Sequence, residues 1–284
     1  MRPPLAIRAI GFKAHAALAC SGGVLETVAE FDDAPYRRAG DEIIWVGNGD
    51  VAMHPRAVVL HDAAWPLAGA RLEAGALTPW RPPQWSPSFA AAATMRAGCA
   101  RLHRDVLRIG APKGFAVMLT GRPPDFPFAR TASRLHNLAQ AFHDAKVDAV
   151  YAAALPLLGL GPGLTPAGDD YVGAALFSRQ AIAAAPADGK AWRDLAMRLI
   201  DAAEPRTHAI GAALFRDLAT GQSFAPLHRL TASLAEAASH NEALAAARAL
   251  VAIGHSSGWE MLAGFIIGIT GTLTPHQEPM KANQ

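Results

Sequence analysis

The stretch LGLGPGLTPAGDDYVGAALF, from Leu158 to Phe177, joins a glycine- and proline-rich turn to two adjacent aspartates and an apolar run. Three of its glycines stand at alternate positions, which removes side chains from one face of the backbone and permits positive φ. Thr165 and Pro166 form a helix-start signal, because a threonine hydroxyl can cap free N–H groups and proline suits the first helical position. The stretch therefore predicts a tight turn that leads into a helix.

Backbone N–H groups at such a helix start favour an oxyanion, because they are unpaired and lie at the positive end of the helix dipole. The candidate anion-binding residues of this turn are Gly161, Gly163, Leu164 and Thr165. The alternative is a turn whose glycines serve packing alone, and the sequence leaves both interpretations open.

Asp169 and Asp170 lie in the first turn of the predicted helix, where the helix dipole stabilises carboxylates. Beside an anion site they are also candidate catalytic residues, as a proton acceptor or as ligands of Mg²⁺. Adjacent helical residues point about 100° apart, so one of the two is expected to face the site, and Asp169 is nearer the turn. The sequence indicates no other cofactor.

A second small-residue turn precedes the last predicted helix. Ser257 is its predicted N-cap, with Glu260 three residues later as the partner in a capping box. Ser256 and Ser257 are candidate anion-binding residues, and His255 is a candidate catalytic residue, because imidazole transfers protons near neutral pH. Gly264 and Gly268 favour close contact between this helix and the one that starts at Pro166.

Arg206 and Thr207 begin a further predicted helix and are candidate anion-binding residues, since arginine is the usual bidentate partner of carboxylate or phosphate. Three such helix starts predict one shared oxyanion pocket. We therefore expect the turn at 159–168 to lie close to the turn at 254–258.

Composition limits the class of protein. The 284 residues are 51% hydrophobic and 18% charged, which excludes a disordered chain. The net charge of +2 comes from dispersed residues without a basic run, so we expect no nucleic-acid partner. Cys20 and Cys99 are too few for a disulfide framework and predict unpaired thiols in a cytoplasmic protein. No apolar run is long enough to predict a membrane span.

The predicted fold class is α+β. Residues 1–80 predict a β-rich domain, with a small barrel as one form of it, in which the segments at 40–47 and 56–61 pair as a hairpin around Asn48-Gly49-Asp50. Residues 81–157 predict a mixed connecting region with a buried strand at Gly114 to Gly121. Residues 158–284 predict a helical domain that carries the glycine-rich motifs.

Three segments resemble, in the same order, the signature of a bacterial family that includes the AllH-type subunits of oxamate carbamoyltransferase. They are GLGPGLTPAGDD, RTHAIGAALFRDLATGQ (Arg206 to Gln222) and IGHSSGWEMLAGFIIG (Ile253 to Gly268). The resemblance covers the C-terminal half closely and the N-terminal half loosely. This chain departs from the family pattern at Glu260, where the family has Asp, and Glu260 follows the bulky Trp259.

The resemblance implies a transferase reaction between carbamoyl phosphate and oxamate, in purine or allantoin degradation, within an assembly of several different subunits. Such chemistry needs donors for phosphate and carboxylate oxygens, stabilisation of a tetrahedral oxyanion and a group that takes the nitrogen proton. The chain lacks the Ser-Thr-Arg-Thr motif expected of ordinary transcarbamoylases. The sequence thus leaves three possibilities: an enzyme subunit, a non-catalytic subunit that binds a small acid and docks or regulates a catalytic partner, or a helical scaffold without a site.

Overall fold

The computed structural model describes residues 5–29, 36–49, 51–61, 72–236 and 238–274. The chain divides into two compact units, Met1–Gln84 with Gln222–Ala225 and Trp85–Gly221 with Pro226–Gln284. The first contains a mixed sheet and the second is mostly helical, which confirms the α+β prediction. Within the part of the chain that the structure describes, no helix has the length and apolar character needed to cross a membrane.

The first unit is built on five strands in the order β1-β5-β4-β3-β2. Their bounds are β1 (Ile7–Ile10), β2 (Glu26–Ala29), β3 (Tyr36–Ala39), β4 (Glu42–Asn48) and β5 (Ala57–Leu60). Helix α1 (Phe12–Ser21) packs Ala14 and Leu18 into the same core as Ile44 and Val58 of the sheet. The linear strand order leaves β1 and β2 at the edges, so these strands form an open sheet and not a barrel.

The predicted hairpin is wrong, because β4 and β5 pair in parallel, with Trp45 opposite Ala57. Tertiary contacts override the local turn signal: the N–H groups of Lys13 and Ala14 donate to the Pro55 carbonyl and fix the chain just before β5. The turn residue Asp50 lies outside the described residues.

Ten further helices follow in the described chain. They are α2 (Phe89–Arg104), α3 (Val106–Ile109), α4 (Ala132–His143), α5 (Val147–Ala154), α6 (Ala167–Ile182), α7 (Pro186–Ala203), α8 (Ala209–Ala219), α9 (Ala225–Ala235), α10 (His240–Val251) and α11 (Ser257–Thr270), with short 3₁₀ helices at Gly114–Thr120 and Ala129–Thr131. The strand predicted at Gly114 to Gly121 is wrong. The segment is buried as expected, but the Phe115 N–H donates to the Glu260 carboxylate and to no neighbouring strand.

Helices α6 and α11 form the centre of the second unit and are buried along almost their whole lengths. Gly264 and Gly268 permit their close approach. A Cβ at Gly264 would lie 2.1 Å from the Tyr171 carbonyl oxygen, and one at Gly268 would lie 2.1 Å from Ser178 Oγ. This confirms the predicted glycine contact between the two helices, whose N-termini carry the two turns of interest.

Both cysteines are unpaired, as predicted, with Cys20 exposed and Cys99 buried.

Candidate functional site

The two turns meet, as predicted from the sequence. The hydroxyl of Thr165, before α6, lies 2.8 Å from the hydroxyl of Ser257, the first residue of α11. Both turns border one cleft of about 420 Å³. The residues lining it are Pro112, Lys113, Gly114, Val117, Asp125, Phe126, Phe128, Pro162, Thr165, Ala167, His255 and Ser256.

The first turn depends on glycine. Gly159, Gly161 and Gly163 have φ values of 73°, 126° and 91°, a region that other residues rarely adopt. Gly159 also has no space for a side chain, because a Cβ would lie 2.0 Å from the Arg206 carbonyl oxygen. The sequence therefore needs glycine here for both conformation and packing.

Four backbone N–H groups of this turn donate no hydrogen bond to any described protein group. They belong to Gly161, Gly163, Leu164 and Thr165. All four residues are partly or fully exposed, so the N–H groups can serve an external acceptor. Of the four, Thr165 is among the residues that line the cleft and the other three are not, so their role in binding an anion stays a prediction.

The predicted helix caps are wrong at both turns. Pro166 is the N-cap of α6, and the Thr165 hydroxyl bonds to Ser257 instead of capping. Ser256 is the N-cap of α11 without a side-chain cap, and the Glu260 carboxylate accepts from Phe115, so no capping box forms. In each case the side chain that the local pattern predicts as a helix cap bonds instead to a residue that is distant in the sequence.

Asp169 is buried, with 2% of its surface exposed, and its Oδ1 accepts a hydrogen bond from the Gly159 N–H at 2.7 Å. Its Oδ2 has no hydrogen-bond partner. The Thr207 hydroxyl lies near this oxygen, and both atoms lie close to the Cβ position of Gly211. Burial raises the pKa of Asp169, while Thr207, Gly159 and His208 oppose the rise.

His208 supports the turn from the start of α8. Its Nδ1 accepts from the Gly211 N–H at 3.3 Å, so its Nε2 carries the hydrogen that is donated to the Gly163 carbonyl at 3.0 Å. The sequence analysis missed this residue, although it follows Arg206 and Thr207 directly.

Asp170 is also buried, but no backbone N–H donates to it. Burial raises its pKa well above the usual value of 3.8, the Ser257 hydroxyl opposes the rise, and the charge of Asp169 adds to it. Its Oδ2 lacks a hydrogen-bond partner. The hydroxyls of Ser257 and Thr165 connect this carboxyl group to the wall of the cleft.

Glu260 completes a group of three buried carboxyl groups. Both of its oxygens lie 3.1 Å from the Phe115 nitrogen, whose N–H they share. Burial raises the pKa of Glu260 well above its usual value, Phe115 opposes the rise, and the charge of Asp170 adds to it. The buried hydroxyl of Tyr171 lies close enough to be affected by Glu260 and has no hydrogen-bond partner.

The other predicted site residues fall in different places. His255 and Ser256 line the cleft, and Ser257 lies next to it through Thr165. Arg206 is exposed, its guanidinium donates to the Ala202 carbonyl, and it is not among the lining residues. Neither aspartate lines the cleft, so the expectation that Asp169 faces it finds no support in the lining.

No group of three or more His, Cys, Asp or Glu side chains in the described ranges is arranged to hold a metal ion. Mg²⁺ at Asp169 and Asp170 stays a prediction.

Residues 157–269 match the family described as oxamate carbamoyltransferase subunit AllH. The match begins just before the first turn and ends in α11, so it contains both turns, and it confirms the resemblance drawn from the three motifs. No curated protein and no solved structure matches the chain.

Proposed function

We propose that this chain is a subunit of an oxamate carbamoyltransferase and that the cleft between its two turns binds a small oxyanionic substrate. The observation that carries the proposal is the position of the cleft: turns from both ends of the matched region, 157–269, border it. Unpaired N–H groups and hydroxyls supply the donors that carboxylate and phosphate oxygens need.

The reaction joins the oxamate nitrogen to the carbamoyl carbon, breaks the bond from that carbon to the phosphate oxygen and releases one proton from nitrogen. The N–H groups of Gly161, Gly163, Leu164 and Thr165 are the proposed donors to the developing oxyanion. Asp170 is the preferred proton acceptor, because the Ser257 and Thr165 hydroxyls link it to the cleft.

His255 is a second candidate for proton transfer, since it is exposed and lines the cleft directly. Asp169 stabilises the first turn, because it accepts a hydrogen bond from the Gly159 N–H. Thr207 acts on the turn indirectly, through its interaction with the Asp169 carboxylate. Ser256 is a proposed oxyanion donor. A clamp by Arg206 would require its side chain to leave the Ala202 carbonyl.

The second candidate function is a non-catalytic subunit that binds a small acid. One observation favours it: Asp169 and Asp170 both lie outside the cleft lining, and Asp125 is the one carboxylate among the described residues that line the cleft. In that case the same pocket would recognise the acid, and a partner subunit would perform the transfer.

The test is an assay with carbamoyl phosphate and oxamate, using the purified chain alone and mixed with the proteins encoded beside its gene. We expect carbamoyl transfer in the complete mixture and its loss when this chain is left out. Transfer that proceeds equally without the chain would contradict the proposal. Transfer that needs the chain but survives substitution of Asp169, Asp170 and His255 would favour the binding subunit.

A further inference from the structure

The cleft contains a cation that the sequence motifs did not single out. Lys113 is exposed and is the one Lys or Arg among the described residues that line the cleft. Its Nζ donates a hydrogen bond to the His255 carbonyl oxygen at 3.1 Å. An ammonium group has three N–H donors, so two remain for a ligand.

The position of Lys113 is fixed by the segment that follows it. The next residue, Gly114, has a φ of 56°, and a Cβ there would lie 1.8 Å from Glu260 Oε1. The Phe115 N–H donates to the same carboxyl group. Upstream, a Cβ at Gly110 would lie 3.3 Å from the Trp259 ring.

These contacts mean that the segment 110–115 is fitted to the first turn of α11, and Lys113 is held at the cleft as a result. They also involve Glu260, the position at which the chain departs from the family pattern. The Trp259 ring lies near Gly110, and the Glu260 carboxylate accepts from the Phe115 N–H.

The remaining polar groups of the lining are mostly donors. Thr165 and Ser256 contribute hydroxyls, and Thr165 also contributes an unpaired backbone N–H group. Asp125 is the acidic member, on an exposed loop. A cation beside several neutral donors is suited to an oxyanion, because a charge-assisted hydrogen bond is about twice as strong as a neutral one.

We infer that Lys113 is a ligand of the oxyanion in this cleft and that Glu260 positions it through the Phe115 N–H. The inference rests on the proposed function and adds the cation that binds the substrate, a role that the sequence motifs had given to Arg206. The ligand class is a small oxyanion, either the phosphate of carbamoyl phosphate or the carboxylate of oxamate. The two sources are separated by the titration below.

The test is calorimetric titration of the purified chain with inorganic phosphate and, separately, with oxamate. We expect saturable binding of at least one of the two anions. The anion whose affinity depends on Lys113 shows whether this lysine binds the phosphate or the carboxylate. Lys113→Gln should weaken its binding about tenfold or more, the scale of one charge-assisted hydrogen bond. Lys113→Arg should restore most of the affinity, and Asp125→Asn should increase it.

Lys190→Gln is the matched control, because Lys190 is an exposed cation on α7 outside the cleft lining. It should leave affinity unchanged. The positioning role of Glu260 is read from a double-mutant cycle: Glu260→Ala should weaken binding, and adding Lys113→Gln to it should cost less than in the wild type.

Three results would overturn the inference: no saturable binding by the wild type, undiminished binding by Lys113→Gln, or equal losses in Lys113→Gln and Lys190→Gln. If the effects of Glu260→Ala and Lys113→Gln on affinity add fully in the cycle, Glu260 does not position Lys113. Binding that depends on Lys113, without carbamoyl transfer in any mixture, would support this inference and refute the proposed function.

Discussion

The starts of α6 and α11 look alike in sequence but use their acidic residues differently. Asp169 accepts from the Gly159 N–H, ten positions earlier, and so closes the turn that precedes its own helix. Glu260 accepts from the Phe115 N–H, 145 positions earlier, and so ties a remote segment to α11. Asp170, which is also buried, accepts from no backbone N–H.

This difference separates anchors from a candidate for chemistry. A buried carboxyl group whose oxygens accept backbone N–H groups stabilises a loop, whereas one with an unpaired oxygen is costly to the fold. Strongly perturbed carboxyl groups beside a cleft are frequent in functional sites. Asp169 and Asp170 each have an unpaired oxygen, but Asp169 also accepts from a backbone N–H, as Glu260 does. We therefore propose structural roles for Asp169 and Glu260 and keep Asp170 as the proposed base.

The substitution with the largest expected effect is Asp170→Asn, which should lower the rate of catalysis. We expect the complete assembly to lose about a hundredfold or more in carbamoyl-transfer rate, the scale of a lost general base, while the chain stays folded. Asp169→Asn keeps an oxygen that can accept from Gly159, so its loss should be much smaller. Transfer rates and thermal melts of both variants check this, and a larger loss for Asp169→Asn would reverse the assignment.

The next effect is on stability at Glu260. Glu260→Ala leaves the buried Phe115 N–H without an acceptor, so the free energy of unfolding should fall by about 1–3 kcal/mol. Glu260→Gln retains one acceptor oxygen and is the matched control, with a smaller expected loss. Urea unfolding of the three proteins measures both values, and equal stability of Glu260→Ala and the wild type would remove Glu260 as an anchor.

Features of this site that depend on neighbouring residues in the sequence could be predicted, and features that depend on distant residues could not. The meeting of the turns and the glycine contacts were predictable, because glycine spacing and helix starts are local signals. The capping boundaries, the 3₁₀ helix at Gly114–Thr120 and the parallel pairing of β4 with β5 were not, since distant partners decide them. Phe115 pairs with Glu260 and Thr165 with Ser257, which no local pattern encodes.

Lys113 and the capping box of α10 were missed for different reasons. Lys113 has no motif around it, and its place at the cleft depends on α11. The capping box at Ser239 and Glu242 is a local signal that the sequence carries and that the helix assignment overlooked.

A smaller effect concerns the pH dependence of stability. The pKa of Asp170 is raised in the folded state, so its contribution to stability is fully present below the usual value of 3.8 and is lost as pH rises through the folded pKa. Asp170→Asn has no such titration. The melting temperature of Asp170→Asn, relative to that of the wild type, should therefore increase as pH rises from about 4 to about 8. A difference in melting temperature that stays constant with pH would contradict the raised pKa of Asp170.

The most direct test of the oxyanion cleft is NMR of the ¹⁵N-labelled chain during titration with phosphate and with oxamate. We expect saturable shifts at the amides of Gly161, Gly163, Leu164 and Thr165 and at Ser256, larger than those elsewhere in the chain. Saturable shifts confined to residues outside the two turns, or no saturable shift with either anion, would contradict it.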